Sequence, residues 1–593
     1  MSLSPDLQER LTKASALSQE AQGHSKARRE QEALQCYRQA MELMPSLISS
    51  KLKRSLYIDY IRSYGTIACR QSCLARALGL TDEAINSAII ALRCDRQEVA
   101  HWQALLDALH YVELTQFSDE LYEWLLTAIN DIRLDPQQAA LASYTLLTHA
   151  PFWQLLADAT IPFSHKLHDC LDPLLLALLR QTLVPSLAFE RTMRQLRHAA
   201  LKAYRAKEPL QEALPFIEAL ACHCHYNEWL WPPSLEEAAW LDSWRSSSSP
   251  LDPMALLLLC CYEMAPQKLL GPLESLSPQL WRLYQLEPMQ ESLLIEQLVS
   301  WSEMSDPVSI RVRSQYESYP YPRWLRARHS VAKPLDQYLA DKGIVVETSK
   351  LRPVEELLVA GCGTGKQLVL TGRSLLYQRM TGIDLSYRSL GYAQRKVAEQ
   401  HLRRVRLLQG DLLELEKLGE TFDLIEAHGV LHHLEDPARG WAVLARCLKA
   451  GGTMAIGLYS ELGRRDLASA RKLMASMEGS LQARREKLLE LTAKHNHLRE
   501  ACRSLDFFST STCKDLLLHE QESRFTLSQI RHLLATMQLQ FLGFEESTGR
   551  AHKLFRERYG HEADTSDLSL WESLEEEHPD LFLAMYIFWV YKP

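Results

Sequence analysis

Glycine placement restricts the fold of this chain before any motif is considered. Only 23 of 593 residues are glycine; residues 1–270 hold three, Gly23, Gly65 and Gly79, whereas residues 356–463 hold fourteen. Helices exclude glycine because fixing its backbone is entropically costly, while tight turns and close approach to a ligand demand it. The first half is therefore expected to be a long run of helices, and the second a compact, turn-rich, ligand-binding unit. A composition of 46% apolar and 24% charged residues excludes a disordered or fibrous chain.

Residues 1–150 carry helical patterning. Ala33, Tyr37, Ala40 and Pro45 have the small–aromatic–small–proline spacing of the second helix of a tetratricopeptide repeat. Ala84, Ala88, Ala91 and Leu92 repeat it without the proline, and the segment around Trp102 opens a following unit. The two segments lie 51 residues apart (84 minus 33), against about 34 in a regular array. The expectation is a degenerate repeat array, with a generic helical bundle as the alternative. Residues 151–305 read as a further helical region, with loops at Pro232–Pro233 and over 246–250. Cys222, His223, Cys224 and His225 invite a metal reading, but four adjacent residues fan around a helix axis and cannot converge on one ion. Packing inside a helix is the better account, and no metal is expected.

Residues 306–335 break the pattern. Arg313 to Trp324 packs three tyrosines, two prolines and a tryptophan into twelve residues, which predicts an extended lid or linker rather than a regular helix. From 354 onward strands alternate with helices, as in a parallel α/β sheet. Strands are predicted at Val354–Ala360, Arg379–Asp384, Val405–Gln409, Thr421–Ala427 and Thr453–Tyr459. A charged helical insertion follows at about 461–528. A helix over Gln529–Met537 and strands over Gln538–Glu545 and Leu581–Tyr591 complete a seven-stranded sheet with an antiparallel edge.

The first strand runs into Gly361, Cys362, Gly363, Thr364 and Gly365, and a helix begins near Lys366. Bare glycine backbone and the free N–H groups of a helix start suit a ligand laid against them. The spacing G-x-G-x-G is neither the dinucleotide fingerprint nor a P-loop. Asp384 ends the second strand, where a carboxylate can accept both ribose hydroxyls of a nucleoside; Asp411, followed by Leu412, ends the third and can accept from an adenine amino group.

Together these residues resemble the class I S-adenosylmethionine-dependent methyltransferases. The segments from Phe422 to Pro437 and from Leu444 to Ser460 are similar to the strand-four and strand-five signatures of that family. One departure stands out: Val359 occupies the position where the family carries an acid in water-mediated contact with the methionine amino group. Beyond the core, Asn227–Trp229, Arg311–Trp324, Asp506–Ile530 and the C-terminal segment resemble a bacterial family that joins tetratricopeptide-like helices to this methyltransferase. The resemblance implies helical repeats over 1–150, a helical domain over 151–305, the Tyr/Pro-rich lid or linker over 306–335, and a Rossmann-like methyltransferase domain over 336–593. It implies a cofactor site of Gly361, Cys362, Gly363, Gly365, Asp384, Leu385, Asp411, Leu412 and His428.

The end of strand four faces the transferred methyl group in this fold. His428 is the first choice for a substrate-facing base, with His432 and His433 beside it and an internal packing role as the alternative for one of that pair. Tyr459, Tyr316 and Tyr321 could orient an acceptor, and His519 and Glu520 are weaker candidates. The acceptor is expected to be a protein or peptide recruited by the helices; a small molecule or glycan is the alternative, and a non-catalytic scaffold that binds the cofactor is a third. The net charge of −8 gives no reason to expect nucleic acid. Thirteen cysteines without framework spacing, no apolar leader, and a longest apolar run of nine residues (Met254 to Tyr262) predict a soluble cytoplasmic protein without a membrane partner.

Overall fold

The computed structural model describes residues 5–26, 30–43, 54–246, 251–265, 270–344, 346–347, 350–545, 550–560, 562–582 and 585–593. Helix hairpins open the chain: α1 (Pro5–Lys26) with α2 (Glu30–Leu43), then α3 (Arg54–Ala77) with α4 (Thr81–Cys94). Ala33, Tyr37 and Ala40 of α2, and Ala84, Ala88, Ala91 and Leu92 of α4, are all buried, so the small residues do permit close helix approach. Pro45 and residues 247–250 lie outside the described residues. One continuous apolar core runs from Ala88 to Tyr284 and includes α5 (Leu187–Arg205) and α6 (Leu214–Tyr226). Cys222 to His225 sit inside α6, all buried; His223 packs edge-on against Phe189.

The second half is a mixed sheet sandwiched between helices. Its strands are β1 (Val299–Ser300), β2 (Glu356–Ala360), β3 (Arg379–Asp384), β4 (Val405–Gln409), β5 (Phe422–His428), β6 (Leu448–Leu458), β7 (Gln540–Phe544) and β8 (Tyr586–Tyr591). Their order across the sheet is β1-β4-β3-β2-β5-β6-β8-β7. Two expectations are corrected. The described sheet has eight strands, not seven: two residues ahead of the connector, Val299 and Ser300, pair in parallel with Leu408 and Gln409. The antiparallel strand is also not at the edge; β8 lies between β6 and β7 and runs against both.

The connector needs a further correction. Pro307–Ser318 is a regular helix, α7, capped by the Asp306 carboxylate accepting from the Ser309 N–H at 2.7 Å. Its only proline is at the first position, where no helical N–H is lost, and Pro320 and Pro322 lie beyond its end. Tyr319 to Pro334 then runs irregularly, with a cis Tyr321–Pro322 bond. This strap is tied to the helical half: Arg326 donates to Ile129 O and Gln181 Oε1, and the His329 N–H donates to Gln103 Oε1 at 2.8 Å.

Helices α8 (Lys366–Ser374) and α9 (Tyr387–Glu399) cover one face of the sheet. The insertion contributes α10 (Leu481–Thr492) and α11 (Thr510–Leu518) around its own small core. No described helix is long and apolar enough to cross a membrane. A buried ion pair locks the insertion to the helical half: Arg485 of α10, fully buried, donates to both oxygens of Glu190 on α5, at 3.0 and 2.7 Å. Removing one partner of such a pair leaves the other charge buried and alone, at a cost of about 3–5 kcal/mol. Arg485→Met is expected to lower the urea unfolding midpoint markedly, and Arg485→Met combined with Glu190→Leu to recover most of the loss.

Candidate active site

The parallel strands present their carboxyl ends to one side, and the strand order reverses at β2, which has β3 on one flank and β5 on the other. Ligands of open α/β sheets bind at such a switch point. Here a cavity of about 350 Å³ opens at that place. Its wall contains Gly361, Cys362 and Gly363 from the loop after β2, Asp384 and Leu385 after β3, Asp411 and Leu412 after β4, and His428 at the end of β5. Tyr316 of α7 and Tyr321 of the strap close it. A larger, more open cavity of about 930 Å³ lies between α5, the loop before Lys166 and α10; its lining mixes acids and bases without any of these motifs.

The loop is held by its own backbone. Cys362 N donates to Ile383 O at 2.9 Å, and Gly363 N to Asp384 Oδ2 at 2.9 Å. Gly361, Gly363 and Gly365 all have positive φ, at 66°, 50° and 82°. The atoms pressing on them are the protein's own. A side chain at 361 would strike Val430, one at 365 would strike Ala393, and one at 363 would lie 2.8 Å from the carbonyl oxygen of Tyr321. Gly365 caps α8 and does not reach the cavity lining. The strap thus lies directly on the loop. Thr364 Oγ1 donates to Pro322 O, and Trp324 Nε1 to Thr364 O at 3.1 Å.

Asp384 also accepts from Ser386 N at 2.9 Å. Burial pushes its carboxyl up to about 6, only partly offset by the backbone donors of Ser386, Gly363 and Leu385. Asp411 is buried and likewise raised, chiefly by desolvation; it accepts from Leu413 N at 2.9 Å, while its own N–H donates to Ser302 Oγ. Together with a glycine turn opening onto a helix start, these two strand-end carboxylates fit a nucleoside cofactor. So does His428, whose Nε2 is buried with no partner and whose pKa burial lowers.

The structure separates the predicted catalytic residues. His428, Tyr316 and Tyr321 line the cavity, and so does His433. His432 does not: it is fully buried and stacked on Tyr459 at 3.6 Å, with Arg464 3.4 Å from the Tyr459 ring centre. Glu520 is exposed, and its N–H donates to Gln315 Oε1. His519 stands behind Tyr316 in a network whose tautomers follow from its partners. Gln521 N donates to His519 Nδ1 at 3.0 Å, so the proton is on Nε2, 3.1 Å from Tyr316 Oη; Tyr316 in turn donates to Asp515 at 2.8 Å. Nδ1 of His433 donates to Gln521 O at 2.8 Å, which leaves Nε2 as a bare lone pair. Burial lowers His433 to about 3 and His519 to about 2, so both rings are neutral. His433, Asp515 and His519 approach closely enough to suggest a metal site, but His519 Nε2 carries a proton and is not a ligand atom.

Several residues at the site escaped the sequence reading. Ser309 and Val312 come from α7, and Lys366 and Gln367 from the first turn of α8. Asp506 and Asp515 come from the insertion, where burial pushes them up to about 6 and about 7. Only Glu426 carried a visible signal, an acid inside the apolar run of β5, since buried charges need a reason.

Comparison with known proteins agrees with this geometry. Residues 358–456 match the family described as a methyltransferase domain. An uncharacterized protein of Synechococcus sp. is 29% identical over 272 residues, 42% of this chain and 62% of that protein. The phosphatidylethanolamine N-methyltransferase of Cereibacter sphaeroides is 33% identical over 126 residues, 21% of this chain and 61% of the relative. Trans-aconitate 2-methyltransferase of Deinococcus radiodurans is 32% identical over 125 residues, 21% and 45% of the two chains. The chain thus spans about three-fifths or less of each of these relatives. A solved structure, PKMT2 from Rickettsia typhi in complex with AdoHcy, is similar at 17% identity and a TM-score of 0.35, covering 46% of this chain and 55% of that one. Site and match together define a methyltransferase domain whose cofactor is S-adenosylmethionine.

The raised Asp384 carboxyl gives that cofactor a pH signature. Protonation removes an acceptor for the ribose hydroxyls, so affinity should be flat above about pH 7 and fall by up to about tenfold per unit below pH 6. Calorimetry with S-adenosylhomocysteine across that range checks it, and Asp384→Asn should flatten the profile.

Proposed function

We propose that the whole chain is an S-adenosylmethionine-dependent methyltransferase acting on a neutral N–H or O–H nucleophile. The observation that carries this reading is the convergence of the glycine loop, Asp384 and Asp411 from three adjacent strand ends on one cavity that His433, its Nδ1 held by Gln521 O, also lines. When bound, the cofactor supplies a methyl group activated on a sulfonium and open to in-line displacement. The protein's residues bind, align and exclude water. Asp384 and Asp411 hold the nucleoside. Tyr321 and Pro322 cover the loop and Tyr316 walls the acceptor side, its hydroxyl fixed between Asp515 and His519. His433 Nε2 accepts a hydrogen bond from the acceptor and so turns the nucleophile's lone pair toward the methyl carbon. A ring lowered to about 3 is a weak base, so its contribution is alignment; the acceptor's bond to the methyl carbon forms as the bond to sulfur breaks, S-adenosylhomocysteine leaves, and the acceptor's proton passes to water.

We assign the acceptor to a protein or peptide recruited by the helical half, whose buried hairpins have repeat-like small residues. The enclosure of the cavity by Tyr316 and Tyr321 favours a second reading, a small molecule or glycan. Transfer of labelled methyl into a lysate of the source cells, followed by size fractionation, separates the two. Label in protein supports the first reading, label in small molecules the second, and tight cofactor binding without label leaves a scaffold. Asp384→Ala should abolish calorimetric binding of S-adenosylmethionine, and unchanged binding would overturn the cofactor assignment. Once the acceptor is in hand, His433→Ala should lower kcat roughly 100-fold with little change in cofactor affinity.

A further inference from the structure

Position 359 lacks the acid that the family pattern carries, yet a buried carboxylate stands beside it. Val359 of β2 pairs in register with Glu426 of β5, and the two strands are parallel, so both side chains leave the same face of the sheet. Glu426 is fully buried. Three neutral donors converge on it: Tyr338 Oη on Oε1 at 3.0 Å, Thr371 Oγ1 on Oε2 at 2.6 Å, and Gln367 Nε2 on Oε2 at 3.0 Å. Among the described residues no lysine or arginine pairs with it. The near candidate, Lys342, pairs with Glu545 at 2.5 Å, and burial keeps the nearby His428 neutral. A buried negative charge held only by neutral donors is costly and calls for a cation close by.

Gln367 shows where that cation would sit. Its amide nitrogen donates both to Glu426 and to Thr371 Oγ1, the latter at 3.1 Å. Because the carboxylate can only accept, the orientation of the amide is determined: both N–H bonds point inward. The carbonyl Oε1 is the end left toward the cavity, whose wall Gln367 forms in the first turn of α8, beside the glycine loop. Donation to a carboxylate also polarises the amide and strengthens its oxygen as an acceptor.

We propose that Gln367 Oε1, oriented and polarised by Glu426, binds the α-ammonium group of the cofactor's methionine, so that the missing acid of β2 is replaced from the neighbouring strand. This rests on reading the cavity as the S-adenosylmethionine site, and the test separates the two. Calorimetry compares wild type, Glu426→Gln and Gln367→Leu against three ligands: S-adenosylmethionine, S-adenosylhomocysteine, which keeps the ammonium but not the sulfonium, and 5′-methylthioadenosine, which has neither. Both variants are expected to weaken the first two ligands by about tenfold to a hundredfold, as for a lost hydrogen bond to a charged group, and to leave the third within about threefold. Equal weakening of all three ligands, no weakening, or a loss confined to S-adenosylmethionine would each overturn the proposal. If wild type binds none of them, the nucleoside reading falls and takes the proposal with it. Should Glu426→Gln not fold, as judged by its melting curve, Gln367→Leu at the cavity wall decides the outcome alone.

Discussion

One carboxylate, that of Glu228, joins the three parts on which the site depends. It sits just past the end of α6 in a left-handed backbone conformation, φ 55°, followed by Trp229 at φ 52°. One of its oxygens pairs with Arg323 of the strap at 2.9 Å; the other accepts from Ser511 N at 2.6 Å, in the first turn of α11. Its carbonyl accepts from Thr510 Oγ1, and the Asn227 carbonyl from Thr510 N. A negative charge at a helix start is favourable in itself. The contact therefore sets α11, which carries Asp515 and leads into His519, at the same time as it sets the strap that carries Tyr321. The two strained residues persist because helical half, strap and insertion all hold them.

From that junction the cavity's chemistry divides cleanly. The sheet side offers carboxylates at strand ends and a glycine turn, features that suit a nucleoside. The insertion side offers two neutral imidazoles, His519 and His433, and the Tyr316 hydroxyl set between His519 and the Asp515 carboxyl. Neutral imidazoles in a buried site act through the direction of their lone pairs, and each direction here is determined by a backbone group of Gln521. On the proposed reading, this side orients a nucleophile through those fixed lone pairs.

Much of this was legible in the sequence because strand-end chemistry leaves local marks. β3 and β4 coincide with their predicted bounds, since an aspartate ends one and a glycine follows the other. β1 was not predicted, because two residues carry no periodicity; it exists only because Val299 meets Leu408. Helix α7 contradicts the extended segment that Pro320 and Pro322 predict, because both lie past its end and Pro307 starts it. Tyr459 and His432 have the expected residue types at the expected strand ends, yet they stack on each other and do not line the cavity, a tertiary outcome no spacing encodes. Glu228 and Gln367 were hidden for the same reason, their partners being residues 511 and 426.

The short β1 strand carries a consequence for how the halves communicate. Trp301, next in the chain, lies over Gly410, where an added side chain would come within 2.6 Å of its ring, and Ser302 Oγ accepts from Asp411 N. The residues just before the connector therefore pack against Gly410 and Asp411, which line the cavity. If a partner bound to the helices shifted this segment enough to change cofactor affinity, the cofactor would change affinity for that partner by the same factor. Recruitment and cofactor loading would then be two readings of a single equilibrium.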